Sequence, residues 1–126
     1  MHFATHVFGA FWSFDCASLK MEEKYKMDFG LSKKHEMARS LFKEFAENEV
    51  KPLAQEVDET EKFPTGTVEK MAKYGFLGIP VPKELGGQGC DILTYAMCVE
   101  ELSKVCGTTG VIVSAHTSLC VDPILT

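Results

Sequence analysis

The sequence lacks the features that mark nucleic-acid-binding, secreted and membrane-spanning proteins. Its 126 residues carry a net charge of −5 and no basic stripe, which argues against electrostatic binding to nucleic acid. No apolar run approaches the ~20 residues that a membrane-spanning helix needs. The start of the chain has no Lys or Arg before Lys20, so a secretory signal is not indicated. We therefore expect a cytoplasmic protein with no nucleic-acid or membrane partner.

Cysteine and histidine patterns that would indicate a metal or a disulfide framework are also missing. The five cysteines are odd in number and form no CxxC pair, so neither a zinc site nor a disulfide scaffold is indicated. His2 and His6 are four residues apart, but no third ligand accompanies them. Ser114 and His116 are two residues apart and would point away from each other on a helix. We predict no metal-binding and no catalytic residue in this chain.

A glycine-rich segment, Gly86–Gly89, does not have the spacing of a phosphate-binding loop. It lacks the GxGxxG pattern and is followed by no Lys-Ser or Lys-Thr pair. We predict a tight turn before a helix. Pro80 and Pro82 exclude regular structure just before it, so residues 76–89 are expected to be irregular, with Leu77 and Ile79 as anchors to the core.

Apolar residues recur at helical spacing from Leu31 onward. Ser32 is the predicted N-cap of the first helix. Pro52 removes a backbone donor and crowds the carbonyl four residues earlier, which predicts a kink near Asn48. Residues 58–62 are predicted to be a polar linker, and a second helix is expected from Pro64 to Gly75.

A third helix is predicted after Asp91, its N-cap. Its Glu100, Glu101 and Lys104 are expected to be exposed, and Cys98 and Cys106 are expected to be reduced core thiols. Its predicted buried face consists of Leu93, Ala96, Met97, Leu102 and Val105.

The fourth helix is predicted to begin at about Thr109. We expect Gly107–Gly110 to form the turn before it, with Gly107 left-handed and a threonine as the cap. Residues 111–115 have almost no polar face, and a helix that is apolar nearly all round is buried against something. The predicted fold class is all-α, a bundle of about four helices with one long irregular loop.

From Met27 onward the sequence resembles the N-terminal helical domain of the acyl-CoA dehydrogenase family, and it is most similar to the short-chain, butyryl-CoA type of anaerobic bacteria. The resemblance covers residues 27–126 and none of residues 1–26, which we expect to be a disordered or non-native extension. The matching blocks are Met27–Phe29, Glu44–Ala54, Asp58–Glu61, Phe63–Pro64, Tyr74–Gly75, Gly78–Pro80, Lys83–Glu84, Gly86–Gly87 and Val99–Leu119.

The resemblance implies a flavin enzyme that converts an acyl-CoA to an enoyl-CoA. Such an enzyme uses FAD and a glutamate base, passes electrons to an electron-transfer flavoprotein, and is usually a homotetramer. The glutamate and the main flavin-binding segment belong to parts of the family fold with no counterpart here. The chain is therefore expected to be a truncated domain, inactive alone, with no catalytic or FAD-binding residue of its own.

Within the family fold, the N-terminal domain closes one side of the acyl-chain pocket. The resemblance therefore implies that Val111, Ser114, Ala115 and Leu119 form a wall of that pocket. The alternative hypothesis is a stand-alone helical interaction module derived from such a gene. The strongly apolar fourth helix argues against that alternative, because a monomer rarely exposes such a surface.

Overall fold

The computed structural model describes residues 30–126, and in that range every regular element is a helix. These elements form four continuous helical bodies, as predicted, with an irregular segment between the second and the third. The predictions for residues 1–26 lie outside the described range. The helices are α1 (Lys33–Phe45), α2 (Lys51–Thr60), α3 (Thr65–Lys73), α4 (Ile92–Val105), α5 (Gly107–Ser114) and α6 (Asp122–Leu125).

The first helical body joins α1 to α2 through a π-helical segment, Ala46–Val50. Ser32 caps its start, as predicted, by accepting a hydrogen bond from the His35 amide. The irregularity predicted near Asn48 takes the form of this π segment. Pro52 cannot donate to the carbonyl of Asn48, and a wider turn with hydrogen bonds to the fifth residue lets the helix continue past it.

The predicted linker over residues 58–62 is partly wrong, because α2 continues to Thr60. Glu61 then ends the helix with a positive φ of 54° and an amide hydrogen bond to the Val57 carbonyl. Pro64 stands just before α3 as its N-cap, one position earlier than predicted. Gly75 ends the α3 turn with a φ of 77°, as the sequence predicted.

The core lies where α1 packs against α4 and α4 packs against α5. Phe76 meets Phe42 and Phe45 edge to face, with ring centroids 5.1 and 4.9 Å apart. The irregular segment is thus anchored by Phe76 and Ile79, whereas the predicted anchor Leu77 is only half-buried. The buried apolar residues are Phe42, Phe45, Ala46, Val50, Met71, Phe76, Ile79, Met97, Cys98, Leu102, Cys106 and Val113.

The corner between α4 and α5 differs from the prediction. Cys106 is extended (φ −148°, ψ 111°) and reverses the chain, and Gly107 is already the first residue of α5. No left-handed glycine is needed there, and Thr109 is buried instead of serving as the cap. Cys98 and Cys106 are buried free thiols, as predicted.

The buried face of α4 is also shifted from the prediction. Met97 and Leu102 are buried, but Leu93 and Ala96 are exposed. Glu101, expected at the surface, is only 6% exposed. The physical reason is an ion pair between Glu101 and Arg39 of α1.

Candidate functional site

The four residues predicted to line an acyl pocket lie on α5 and on a second π segment, Ala115–Val121. Val111 is 65% exposed and Leu119 is 77% exposed, whereas Ser114 and Ala115 are half-buried. On the same stretch Val113 is fully buried and Thr117 is 3% exposed. The stretch therefore has a core side and an outer side, and we call four residues of the outer side the α5 outer face (Val111, Ser114, Ala115 and Leu119).

Tyr95 of α4 contacts this stretch through its hydroxyl group. The hydroxyl donates to the Ser114 carbonyl at 3.3 Å and pairs with Ser118 Oγ at 2.8 Å. Ser114 is the last residue of α5 before the π segment begins. One side chain of α4 thus connects to both sides of the helical transition.

A cluster of charges joins α1 to α4 on another part of the described surface. Arg39 donates to both carboxylate oxygens of Glu100 and, at 2.8 Å, to Glu101. Lys104 donates to Glu101 at 2.9 Å and also pairs with Glu100. The hydrogen bonds from Arg39 and Lys104 lower the pKa of Glu101, and the same two cations lower that of Glu100. A low pKa makes these carboxylates poor proton acceptors at neutral pH, so the cluster is an inter-helix ion network.

This network predicts how stability depends on pH. Because the pKa of Glu101 is lowered from its ordinary value of 4.5, its contribution is present above that value and is lost as the pH falls through the folded-state pKa. Glu101→Gln should lower the free energy of unfolding at neutral pH by roughly 1 kcal/mol. It should also flatten the loss of stability that occurs as the pH falls below about 4.5.

Urea unfolding across that pH range checks this expectation. Glu69→Gln is the matched control, because Glu69 is exposed and has no side-chain partner in residues 30–126. A Glu101→Gln profile as steep as that of wild type would contradict the assigned role of the ion pair.

Ser32, His35 and Asp91 form a second polar cluster. Ser32 Oγ lies 2.9 Å from His35 Nδ1, and His35 Nε2 lies 2.8 Å from Asp91 Oδ2. The residue types match a nucleophilic triad, but Ser32 caps α1 and Asp91 caps α4 by accepting from the Thr94 amide and hydroxyl. The Thr94 hydroxyl and amide, with His35, lower the pKa of Asp91 to about 2. The cluster therefore connects the N-terminus of α1 to the N-terminus of α4.

The glycine-rich segment has the turn geometry that was predicted. The Gln88 amide donates to the Gly78 carbonyl at 2.9 Å, and the Gly89 amide donates to the Val81 carbonyl at 2.8 Å. Amides used in this way are not available to phosphate oxygens. This segment therefore does not fit the phosphates of a flavin nucleotide.

The described residues contain neither a group of metal ligands nor a membrane-spanning helix. Between residues 30 and 126, no three His, Cys, Asp or Glu side chains are grouped so that they could hold a metal ion. In the same range, no helix combines the length and apolar character needed to cross a bilayer.

Comparison with known families gives a match over most of the chain. The model of the acyl-CoA dehydrogenase N-terminal domain matches residues 32–126. The chain belongs to the acyl-CoA dehydrogenase family. The match begins at the N-cap of α1 and includes all the described helices.

Relatives within the acyl-CoA dehydrogenase family are similar over the same part of the chain. The short-chain specific acyl-CoA dehydrogenase of Clostridium acetobutylicum is 64% identical over 94 residues, which are 75% of this chain and 25% of that protein. The mitochondrial short-chain specific enzyme of Homo sapiens is 45% identical over 95 residues, or 75% of this chain and 23% of that protein. The chain thus spans about a quarter of the length of these relatives.

A solved structure has the same fold. A chain from work on the electron transferring flavoprotein of Acidaminococcus fermentans and flavin-based electron bifurcation superposes with a TM-score of 0.75. It is 42% identical, and the match covers 79% of this chain and 26% of that one. The predicted all-α fold is therefore confirmed.

Tyr95 and Ser118 are polar residues at the candidate site that the sequence did not indicate. Tyr95 stands between Thr94 and Ala96 in a largely apolar helix, where a tyrosine is ordinarily part of the core. Its role depends on how α4 and α5 pack, and no local pattern reports that packing. The resemblance implied a role for the residues of the α5 outer face but not their contact from α4.

Proposed function

We propose that this chain is the N-terminal part of a flavin-dependent short-chain acyl-CoA dehydrogenase and that it is inactive alone. The observation that carries the proposal is the α5 outer face, where Val111 and Leu119 are largely exposed although both are apolar. An exposed apolar face can be covered by another part of a protein or by a ligand. The similarity to short-chain specific enzymes supports an acyl chain as that ligand.

The residues of the α5 outer face would bind the acyl chain and keep water away from it. Val111, Ala115 and Leu119 offer methyl groups, and burying apolar area is favourable by roughly 25 cal/mol per Å². FAD, bound elsewhere in the complete enzyme, would supply the hydride acceptor. No step of the reaction is assigned to residues of this chain. Glu100 and Glu101 form ion pairs with Arg39, and the amides of the glycine-rich segment already donate to backbone carbonyls.

The same proposal gives the remaining partners. We propose a homotetramer that transfers electrons to an electron-transfer flavoprotein, as the family resemblance implies. We also propose a cytoplasmic location, which the free buried thiols Cys98 and Cys106 support.

The test determines the DNA sequence after codon 126 and compares the 126-residue chain with the longer protein that a continuing reading frame would encode. Flavin content is measured by absorbance, and turnover of butyryl-CoA is measured with an artificial electron acceptor. We expect the complete protein to hold flavin and to oxidise butyryl-CoA, and the short chain to do neither. Stoichiometric flavin on the short chain, reduced by butyryl-CoA, would show that the chain is catalytically complete and that the proposal is wrong.

An independent core favours the alternative of a stand-alone module. Met71, Cys98, Leu102 and Val113 are all fully buried within the described residues, so much of the hydrophobic core is already closed. If the short chain is a monomer with one cooperative unfolding transition, and if no longer reading frame exists, the module interpretation is favoured over the enzyme.

A further inference from the structure

The helix that carries the α5 outer face changes its hydrogen-bond register in the middle of that face. Val111 and Ser114 are in the α-helical part, whereas Ala115 and Leu119 are in the π segment. An α-helix bonds each carbonyl to the fourth amide that follows, and a π-helix bonds it to the fifth. Ser114 is therefore the residue at which the register changes.

This change decides which side chains share a face. Each residue adds about 100° of rotation about a helix axis, so one extra residue in a turn rotates everything after it by about that angle. Leu119 is the largest side chain of the outer face and lies after the transition. Its position relative to Val111 depends on whether the π register is kept.

Thr117, within the π segment, is a site of local cost. Its hydroxyl is buried and has no hydrogen-bond partner among the described residues. A threonine in an α-helix commonly donates to the carbonyl four residues earlier, and a buried hydroxyl without a partner is destabilising. A contact from outside the segment can offset this cost and so favour the π register.

We propose that Tyr95 is a positioning residue that holds this register and thereby sets the acyl-chain length that the enzyme prefers. Its hydroxyl bonds the Ser114 carbonyl, at the transition, and Ser118 Oγ, one turn later. Both contacts come from α4, which is fixed to α1 by the Arg39 network. The inference rests on the proposed function, because it needs the outer face to contact the acyl chain.

The test uses Tyr95→Phe, which keeps the ring and removes only the hydroxyl. Tyr74→Phe is the matched control, since the Tyr74 ring packs on Phe45 and its hydroxyl makes no hydrogen bond to the part of the chain that the structure describes. Ser118→Ala removes one of the two contacts and serves as a second variant if Tyr95→Phe folds poorly.

Two measurements are made on each variant. Hydrogen exchange of the amides of residues 115–121 in the 126-residue chain reports the register without any need for activity. In the complete protein, kcat/KM is compared for butyryl-CoA and octanoyl-CoA. We expect Tyr95→Phe to speed exchange in that segment and to lower the butyryl-to-octanoyl ratio by about fivefold or more, since the loss of one of its two hydrogen bonds alone corresponds to about fivefold. The ratio should fall because a change of register moves Leu119, the largest side chain of the outer face, away from the acyl chain. The pocket then has more room for the longer octanoyl group.

The outcomes separate this inference from the proposed function. If the complete wild-type protein oxidises acyl-CoA but Tyr95→Phe changes neither exchange nor the ratio, the inference is overturned and the proposed function stands. Equal changes in Tyr74→Phe would also overturn it. If the wild-type protein oxidises no acyl-CoA, the proposed function fails, and the selectivity claim fails with it even where exchange depends on Tyr95.

Discussion

Replacing Leu102 with alanine is expected to lower the free energy of unfolding of the chain by about 3 kcal/mol. Leu102 is fully buried in the core between α1, α4 and α5. The substitution removes buried methyl groups and leaves a cavity that the surrounding helices fill only partly. Guanidinium unfolding followed by circular dichroism at 222 nm, a standard helix signal, measures the loss through the transition midpoint.

Leu119→Ala is the matched control for this prediction. It removes the same atoms from a side chain that is 77% exposed, so it should change the free energy of unfolding by less than about 0.5 kcal/mol. Equal losses in the two variants would mean that the α5 outer face is covered in solution. A loss below about 1 kcal/mol for Leu102→Ala would contradict its place in the core.

Local chemistry explains why much of the fold could be predicted from the sequence. A serine or aspartate before an apolar helical pattern can cap a helix by itself, and Ser32 and Asp91 both do so. Pro52 disturbs the helix whatever the helix packs against. Gly75 permits a left-handed turn that few other residues adopt. These signals depend only on neighbouring residues.

The burial of Glu101 could not be predicted, because its cause lies elsewhere in the chain. Its partner Arg39 is 62 residues away, and only the packing of α1 against α4 brings the two together. Without that partner, a glutamate beside another glutamate is expected to face solvent. Tyr95 was missed for the same reason, since its hydroxyl has a role only where α4 crosses the end of α5.

The residues at the corner between α4 and α5 have the composition of a turn but fold as the start of a helix. The sequence Gly107–Gly110 has two glycines around two threonines, which is typical of a turn, yet these residues begin α5. Gly110 is needed because α5 approaches α4 closely. A Cβ atom at Gly110 would lie 2.0 Å from Ser103 Oγ, 3.0 Å from its Cβ and 3.1 Å from its Cα.

Gly110→Ala is therefore expected to destabilise the chain by about 2 kcal/mol, although alanine is the better helix former. The Ser103 hydroxyl can rotate away from the added methyl group, but the Ser103 backbone cannot, so the two helices must separate. Gly107→Ala is the matched control in the same helix, because nothing lies within 4 Å of its added Cβ. That variant should be neutral or more stable by up to about 1 kcal/mol.

A double-mutant cycle identifies the contact that causes the loss. Ser103→Gly removes the Oγ and Cβ atoms that an added methyl group would meet, so combining it with Gly110→Ala should recover more than about 1 kcal/mol relative to the sum of the single variants. Additive losses would show that Ser103 is not the obstacle. Because α5 carries the outer face, forcing the helices apart should also increase hydrogen exchange in residues 115–121. The close approach at Gly110 and the Tyr95 hydroxyl would then act on the same helix from the two ends of one interface.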